Sequence, residues 1–530
     1  MAVADRIFKA VSVSVTTLFF CLPGIISAQN KETKHPNILF CIADDASLEF
    51  FSAYGFGYSY VNTPAFDRIA REGILFENAY TPNAKCSPSR ASILTGWNPW
   101  QLEEAANHNS YFPAKFASFV EVLGQNGYTT AFTGKGWGPG VAVDGNGKQR
   151  QLTGKAYSEI KVQTPTDKIS PINYAANFEK FLQEKPSDKP FCFWYGGHEP
   201  HRAYEYGSGI SKGKKDISQV KVPPTWPDNA QVRNDLLDYA YEVEYFDQYL
   251  GKILDLLEKS GELDNTIIVV TSDNGMPFPR VKGHVYEKAN HLPLAIYWKN
   301  GIKSPGRKVK DFVSFIDFAP TFLELAGVDQ SSSGMQAIEG KSILNLLKSS
   351  IPDKNRDHVL LGRERTDIGR PNDEGYPVRA IIKDGYFLAV NYEPSRWPCG
   401  NPETGYRDTD GSPTKTSILQ AHRKNENDEY WKLSFAKKGG EELYDIKKDP
   451  FCLNNLAASS AQTSLKQKLK QQLEAELRKQ NDPRMFGKGY LFDQYKYAQP
   501  DVVGYYEKYL RGEIVKTGSA NESDLDKAIK

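Results

Sequence analysis

Residues 37–45 read NILFCIADD, an unbroken apolar run that ends in two adjacent carboxylates. A continuous apolar run of this length is typical of a strand that is buried on both faces of a parallel sheet. We therefore predict a central strand over residues 37–42 that presents Asp44 and Asp45 at its carboxyl end. In open α/β sheets, binding sites lie at the carboxyl ends of the strands.

Similar apolar runs recur along the chain, and helical patterns separate them. Strands are predicted over residues 128–132, 190–195 and 266–271. Helices are predicted from Thr63-Pro64 to about Gly73 and over residues 89–94, 116–123 and 232–259. This alternation predicts a mostly parallel sheet with helices on both faces.

The alternation ends after about residue 349. Residues 376–392 predict a β-hairpin that turns at Lys383-Asp384-Gly385. A helical leucine stripe at residues 465–477 is expected to pack against the main domain. The expected organisation is a signal peptide at residues 1–28, a main domain at residues 35–354, a smaller α+β subdomain at residues 355–500 and a polar tail at residues 501–530.

The composition excludes a disordered chain, because 40% of the 530 residues are hydrophobic and 25% are charged. The formal net charge of +1 gives no signature of nucleic-acid binding. If residues 1–28 are removed, five cysteines remain. An odd number of cysteines in an exported protein means that at least one is unpaired or chemically special.

The first 28 residues have the pattern of an export signal, in which two basic residues precede an apolar run at residues 11–22 and Ser27-Ala28 ends it. The run is shorter than the roughly 20 residues of a membrane span. We expect a protein that is exported to the periplasm, the cell surface or the medium, without a transmembrane segment after cleavage.

Two pairs of polar side chains, Asp44-Asp45 and Asp273-Asn274, end two of the predicted strands. Each pair alone is typical of helix caps and turns. Three carboxylates that converge at one edge of a sheet would repel each other unless a cation lay between them. All-oxygen ligands suit Ca²⁺ or Mg²⁺ better than Zn²⁺. The two pairs together therefore favour a metal site.

Residues 86–90 read CSPSR and lead into a helical segment of small residues. Pro88 suits the first turn of a helix. The N-terminus of that helix and the charge of Arg90 together favour a bound anion. Cys86 would then lie where the anion binds, although on composition alone an inert buried cysteine is the simpler explanation.

The pattern C-x-P-x-R at residues 86–90, followed by Leu94-Thr95-Gly96, resembles the signature of the type I sulfatases. The similarity extends from residue 36 to about residue 456. Its other landmarks are residues 37–45, Thr63-Pro64 with Asp67, Gly134-Lys135, the sequence GHEPHR at residues 197–202, residues 272–279, and residues 442–445 with Asp449-Pro450.

The resemblance implies an α/β, alkaline-phosphatase-like fold. In that fold helices sandwich a mostly parallel sheet, here over a catalytic domain at residues 35–354, and a smaller C-terminal α+β subdomain follows. It also implies that a formylglycine-generating maturation enzyme oxidises Cys86. Matched by position, the ligands of a bound Ca²⁺, with Mg²⁺ less favoured, are Asp44, Asp45, the formylglycine made from Cys86, Asp273 and Asn274.

The resemblance also assigns catalytic roles. Arg90 matches the residue that steadies the formylglycine. Lys135 matches a lysine that binds the sulfate, His198 matches the histidine near the leaving oxygen, and Lys282 matches a second cation there. One hydroxyl of the hydrated aldehyde would attack sulfur, His198 would protonate the departing sugar oxygen, and the second hydroxyl would collapse to release sulfate. The fixed cations would neutralise the charge of the ester.

One position departs from the family pattern. The family often has a histidine two residues after the lysine that Lys135 matches, and this chain has Trp137 there. That histidine is assigned to the breakdown of the sulfated intermediate, so His201, His284 or another group would have to replace it. Trp137 itself would line a sugar subsite or pack in the core.

Residues 198–202, 273–279 and 376–379 look closest to the heparan N-sulfatase (sulfamidase) branch, which also contains bacterial relatives that act on ulvan. Lys282 stands where the sulfamidase usually has arginine, and Trp137 where it has histidine. Both changes lie around the sulfate, so we expect O-sulfate on polysaccharide-derived oligosaccharides, with ulvan-type substrates favoured. A heparan or other glycosaminoglycan substrate, including an N-sulfate, is the alternative.

Two other functions are compatible with the same fold. One is a phosphoester hydrolase, although such enzymes commonly use a two-metal site rich in histidine and this chain has only eight histidines. The other is a glycan-binding relative without catalysis, which the replacement at Trp137 alone would favour.

Overall fold

The computed structural model describes residue 10, residues 35–513 and residues 520–525. Apart from residue 10, the signal peptide predicted over residues 1–28 lies outside the described residues. Among the residues that are described, no helix has the length and apolarity that a membrane crossing requires.

The strands of the described residues include those predicted from apolar runs, together with several shorter ones. They are β1 Asn37–Ala43, β2 Ile74–Phe76, β3 Ala79–Tyr80, β4 Ser110–Phe112, β5 Thr129–Gly134, β6 Gly140–Ala142, β7 Lys155–Ala156, β8 Phe191–Gly196, β9 Thr266–Ser272, β10 Leu294–Tyr297, β11 Arg307–Val309, β12 Val313–Ser314, β13 His358–Arg363, β14 Val378–Lys383, β15 Tyr386–Asn391 and β16 Glu441–Asp445.

The α-helices alternate with the strands in the first two thirds of the chain. They are α1 Pro64–Glu72, α2 Cys86–Thr95, α3 Phe119–Gln125, α4 Tyr174–Glu184, α5 Ser208–Ser211, α6 Ala230–Ser260, α7 Glu287–Asn290, α8 Phe318–Leu325, α9 Leu344–Lys348, α10 Pro413–Lys424, α11 Glu429–Ser434, α12 Thr463–Lys479, α13 Leu491–Gln494 and α14 Tyr505–Leu510.

The central sheet has eight strands in the order β11-β2-β10-β9-β1-β8-β5-β7. β1 pairs in parallel with β8 on one side and with β9 on the other, and β5 pairs in parallel with β8. β10 runs antiparallel to both of its neighbours, β9 and β2. The prediction of a mostly parallel sheet is confirmed, and β10 is the exception that the apolar pattern did not reveal.

Helices cover both faces of the sheet. Successive side chains of β1 point to opposite faces, and the apolar side chains on each face pack against helices. Leu39 and Cys41 pack in a buried cluster with α1, α4 and α6. Ile38 and Phe40 pack in a second cluster with α2, α3 and α8. Strand β1 is buried along its whole length, as its unbroken apolar run predicts.

The C-terminal part contains a four-stranded antiparallel sheet in the order β13-β14-β15-β16. β14 and β15 form the predicted hairpin. The leucine stripe of α12 packs in one cluster with Leu360, Ile381, Leu388 and Leu443 of this sheet, and Trp100 joins them from the main domain. The expectation that the stripe packs against the main domain was therefore wrong, because the stripe packs mainly against the C-terminal sheet.

The described residues from His35 onward form one compact unit. The proposed boundary between residues 354 and 355 stays a prediction. The tail expected at residues 501–530 contains α14, and Thr416 Oγ1 donates to Asp524 Oδ1 at 2.8 Å. The described parts of the tail therefore contact the rest of the chain.

Candidate active site

Neighbouring strands of the central sheet carry the predicted site residues at their carboxyl ends. Because β9, β1, β8 and β5 are adjacent and parallel, the residues that follow them meet at one edge. In that order the strands lead to Asp273 and Asn274, to Asp44 and Asp45, to His198, and to Lys135. The sheet alone thus brings together side chains that lie far apart in sequence.

Cys86 is the first residue of α2, and every residue of this helix is buried. Its Sγ lies 3.4 Å from Asp44 Oδ1 and 3.8 Å from Asp45 Oδ1. Burial raises the pKa of the Cys86 thiol well above its usual range. A protonated thiol is a poor nucleophile, so the unmodified side chain is not activated for attack at neutral pH.

The predicted metal ligands converge. One ligand atom from each of Asp44, Asp45, Cys86 and Asp273 lies within 4.8 Å of all the others. Asn274 Nδ2 donates to Asp45 Oδ1 at 2.7 Å, whereas Asn274 Oδ1 is buried without a hydrogen-bond partner among the described residues. A buried acceptor without a donor indicates a missing ligand. Carboxylate and amide oxygens are the ligands that Ca²⁺ and Mg²⁺ prefer, so these residues fit such an ion.

Arg90 crosses the site from the middle of α2 and is fully buried. Its Nε donates to Asp273 Oδ2 at 2.7 Å, and its Nη1 donates to the carbonyls of Lys135 at 3.0 Å and Gly136 at 2.9 Å. Its Nη2 lies 3.5 Å from Asp44 Oδ1. Arg90 therefore joins α2 to the ends of three strands.

Two lysines bring further positive charge to the carboxylates. Lys135 Nζ donates to Asp44 Oδ2 at 2.6 Å, and Lys282 Nζ donates to Asp45 Oδ2 at 2.6 Å. Burial opposes the ionisation of Asp44, but Lys135, His201 and Arg90 outweigh it and hold the pKa of Asp44 well below its usual range.

Asp273 behaves differently, because burial raises its pKa to about 6 although Arg90 opposes the shift. Without an ion, the charged form of Asp273 is thus less stabilised than that of Asp44. A bound divalent cation would favour its charged form, which agrees with its placement among the ligands.

Two histidines face the acidic group from the segment after β8. Burial is the largest cause that lowers the pKa of His198 to about 4, and Lys135 and Arg90 lower it as well. His201 Nε2 lies 3.8 Å from Asp45 Oδ2, and His201 Nδ1 is hydrogen-bonded to the Arg202 carbonyl. Since a carbonyl only accepts, that hydrogen bond requires a proton on Nδ1.

The structure places the other two candidates outside the acidic group. His284 Nε2 lies 3.2 Å from Cys399 Sγ, and its ring stacks on Tyr286. Trp137 Nε1 donates to the Ser87 carbonyl at 3.0 Å, and its ring packs edge-on against Phe112. Packing therefore explains the contacts of Trp137.

Asp410 is a site residue that the sequence analysis missed. Its Oδ2 lies 3.1 Å from Lys282 Nζ, so Lys282 contacts Asp45 and Asp410 together. Asp410 lies in a loop before α10 rather than at the end of a strand of the main sheet. No pattern of strand ends or motifs distinguishes it from the other turn residues nearby.

A cleft of about 570 Å³ opens beside the site and has room for a sugar-sized ligand. Its lining includes Lys135, His198 and His201 together with Lys168, Ser170 and Glu242.

All five cysteines after the predicted signal peptide are buried and free of disulfide bonds. Because all five thiols are unpaired, the odd number of cysteines does not single out one of them. Cys86 differs from the others by its contacts with two carboxylates, and not by lacking a disulfide partner.

The chain resembles proteins of known activity over most of its length. It is 28% identical to an N-acetylglucosamine-6-O-sulfatase of Bacteroides thetaiotaomicron, over 87% of this chain and 90% of the relative. It is 27% identical to the N-sulphoglucosamine sulphohydrolase of Homo sapiens, over 82% and 89%. It is 26% identical to an ulvan-active sulfatase of Formosa agariphila, over 82% and 74%.

A solved structure of a protein in complex with its substrate D-glucosamine-2-N,6-O-disulfate has the same fold, with a TM-score of 0.59, 24% identity and coverage of 85% of this chain and 99% of that one. Residues 36–328, more than half of the chain, match the family model described as Sulfatase. The chain therefore belongs to the sulfatase family and hydrolyses sulfuric esters.

Proposed function

We propose that this sulfatase is exported and removes sulfate from the sugar residues of polysaccharide-derived oligosaccharides, with a formylglycine made from Cys86 as its nucleophilic residue. The observation that carries the proposal is the position of Cys86. It starts α2 and contacts both Asp44 and Asp45, where the helix N-terminus favours an anion.

Three fixed cations of the chain would hold the sulfate group. Arg90, Lys135 and Lys282 each contact a carboxylate of the acidic group. Such charges act most strongly in a buried site, because they need no rearrangement as negative charge grows on the leaving oxygen. They would also hold the sulfate group beside residue 86.

Two groups that the family generally uses would complete the site. A divalent cation on Asp44, Asp45, Asp273 and Asn274 would add positive charge beside the sulfate oxygens. The hydrated aldehyde of a formylglycine at residue 86 would supply a hydroxyl nucleophile that a buried thiol does not provide. The buried and unpartnered Asn274 Oδ1 supports the first of these assignments.

His198 is the group that we assign to the leaving oxygen. With a pKa of about 4 in the free protein, its imidazole is neutral at pH 7 before substrate binds. The negative charge of a bound sulfate ester would raise this pKa. A bound sulfate ester would therefore favour the protonated form of His198, which can donate its proton to the leaving sugar oxygen.

The substrate that we favour is an O-sulfated oligosaccharide of the ulvan type, and a heparan-type glycan is the second candidate. Two of the relatives named above act on glucosamine-type sulfates and one on ulvan, all at similar identity. The replacements at Trp137 and Lys282 relative to the sulfamidase pattern favour an O-sulfate. The predicted export signal agrees with an extracellular polysaccharide.

Sulfate release, measured by ion chromatography, tests the proposal. The protein would be produced with a formylglycine-generating enzyme, and mass spectrometry would measure the conversion of Cys86. Ulvan oligosaccharides, N- and O-sulfated heparan disaccharides and a phosphate ester form the panel. Sulfate from one glycan and no phosphate from the ester is the expected result. Converted protein that releases sulfate from no glycan, or that prefers the phosphate ester, would contradict it.

Replacing Asp273 by alanine is expected to remove the bound metal and the activity together. The variant loses a carboxylate whose charged form needs the ion, so metal affinity should fall by about 10-fold or more. Inductively coupled plasma mass spectrometry measures the metal content. Asp264→Ala, at the opposite end of the same strand region and exposed beside Lys299, is the control. Unchanged metal content in Asp273→Ala would remove this residue from the site.

His201→Asn tests whether His201 replaces the histidine that is missing at Trp137. An asparagine amide keeps a donor for the Arg202 carbonyl and removes Nε2, so we expect kcat to fall by about 100-fold or more. Adding Trp137→His to this variant should restore part of the loss. Metal content is measured in parallel, and a kcat within about twofold of the parent protein would reject the role.

A further inference from the structure

The carboxylate of Asp410 enters the sulfate site from the C-terminal part of the chain. Its Oδ2 lies 3.1 Å from Lys282 Nζ, and 18% of the side chain is exposed. The two atoms form an ion pair whose geometry is not that of a hydrogen bond. Asp410 Oδ2 is buried and has no hydrogen-bond partner among the residues that the structure describes. Buried acceptors are normally satisfied, and the charge of His201, which lines the cleft, also acts on this carboxylate.

The loop that carries Asp410 is held firmly. Asp408, two residues earlier, accepts hydrogen bonds from Arg363 at 2.8 Å and from Arg370 at 2.5 Å. The fully buried Lys415 donates to the carbonyls of Gly405, at 2.7 Å, and Thr409, at 2.9 Å. A fixed loop keeps the carboxylate of Asp410 beside Lys282 without the entropy cost of ordering a mobile one.

We infer that Asp410 is a specificity-determining residue, which accepts a hydrogen bond from a free hydroxyl on the ring carbon next to the sulfated position. The inference rests on the proposed function, because it takes Lys282 as a cation that binds the sulfate. Lys282 Nζ contacts the carboxylate of Asp410 as well as that of Asp45. A sulfate bound to Lys282 would therefore place the substituent on the neighbouring ring carbon close to Asp410.

The charge of Asp410 determines which neighbouring substituent the site should prefer. A hydroxyl donates to a carboxylate and satisfies its buried oxygen. A second sulfate at that position would bring two negative groups together in a partly buried cleft, and such a juxtaposition is strongly unfavourable. The enzyme should therefore prefer a monosulfated sugar to the same sugar that carries a second sulfate on the neighbouring carbon.

The experiment compares kcat/KM for such a pair, the monosulfated sugar and its vicinal disulfate, in the parent enzyme and in Asp410→Asn. We expect the preference for the monosulfated sugar to fall by about 10-fold or more, which corresponds to about 1.4 kcal/mol. Asp410→Glu keeps the charge and should retain much of the preference. Asp264→Asn, which removes an exposed carboxylate paired with Lys299 at 2.6 Å, should leave the preference unchanged.

Binding to Cys86→Ala separates this inference from the proposed function. Isothermal titration of the two sugars against Cys86→Ala, with and without Asp410→Asn, reports selectivity without turnover. Selective binding that Asp410→Asn abolishes supports the inference even if the parent enzyme releases no sulfate. An unchanged ratio of the two sugars in both assays, with equal losses of kcat/KM for each, would overturn it and leave Asp410 as a positioning residue for Lys282.

Discussion

Cys86→Ala is expected to lower kcat for sulfate release by at least about 10⁴-fold, the scale on which removal of a catalytic nucleophile acts. The side chain of Cys86 is small, and its Sγ contacts Asp44 and Asp45. Its loss therefore leaves the apolar packing of the fold in place, and the free energy of unfolding should change by only about 1 kcal/mol. Sulfate release and thermal unfolding, measured on the same preparation, check both parts.

Cys192→Ala is the matched control for this prediction. Cys192 is equally buried, but it lies within β8 and pairs with β1 and β5 away from the carboxyl ends. This variant should keep the kcat of the parent protein and show a similar change in stability. Cys86→Ala that retains turnover within tenfold, or that unfolds at room temperature, would show that Cys86 has a structural role instead.

Arg90→Met is expected to destabilise the protein by about 3–5 kcal/mol, the cost of leaving buried carboxylates without their partner. Arg90 contacts Asp273 and Asp44 in the interior, and methionine replaces its length without its charge. Since we propose that the same residue holds the sulfate, kcat of the folded fraction should fall as well. Denaturant unfolding and kcat, both measured on metal-loaded protein, check the two effects.

Arg379→Met separates the two effects of that substitution. Arg379 is also fully buried and lies 2.7 Å from both Glu364 and Asp482, but it belongs to β14 of the C-terminal sheet. It should lose comparable stability and keep its kcat. If both variants lose kcat in proportion to their stability, the effect of Arg90 is structural and our assignment is wrong.

The part of the fold that apolar runs encode was predictable. Strands β1, β5, β8 and β9 were each expected within a few residues, because a strand buried on both faces needs an unbroken apolar sequence. β10 was not, since Leu294–Tyr297 is only four residues long and short apolar runs do not distinguish strand from helix. Its antiparallel direction depends on tertiary pairing.

The site likewise contains residues that the sequence predicts and residues that only the folded chain brings together. Asp44, Asp45, Asp273 and Asn274 end two adjacent strands, so their convergence follows from the order of the sheet. His284 was a candidate to replace the histidine that is missing at Trp137, but Gly283, between it and Lys282, has a left-handed φ of 78°, and His284 contacts Cys399. Asp410 could not be predicted, because only the folded C-terminal loop brings it to Lys282.

The burial of α2 limits the stage of biosynthesis at which Cys86 can be modified. Only 1% of the surface of Cys86 is accessible in the folded chain. If a maturation enzyme oxidises this thiol, it must reach residue 86 while the segment is still extended, before α2 joins the sheet. A preparation that has folded with an unconverted thiol should then stay inactive when the maturation enzyme is added later, and only unfolding and renewed folding would expose the residue again.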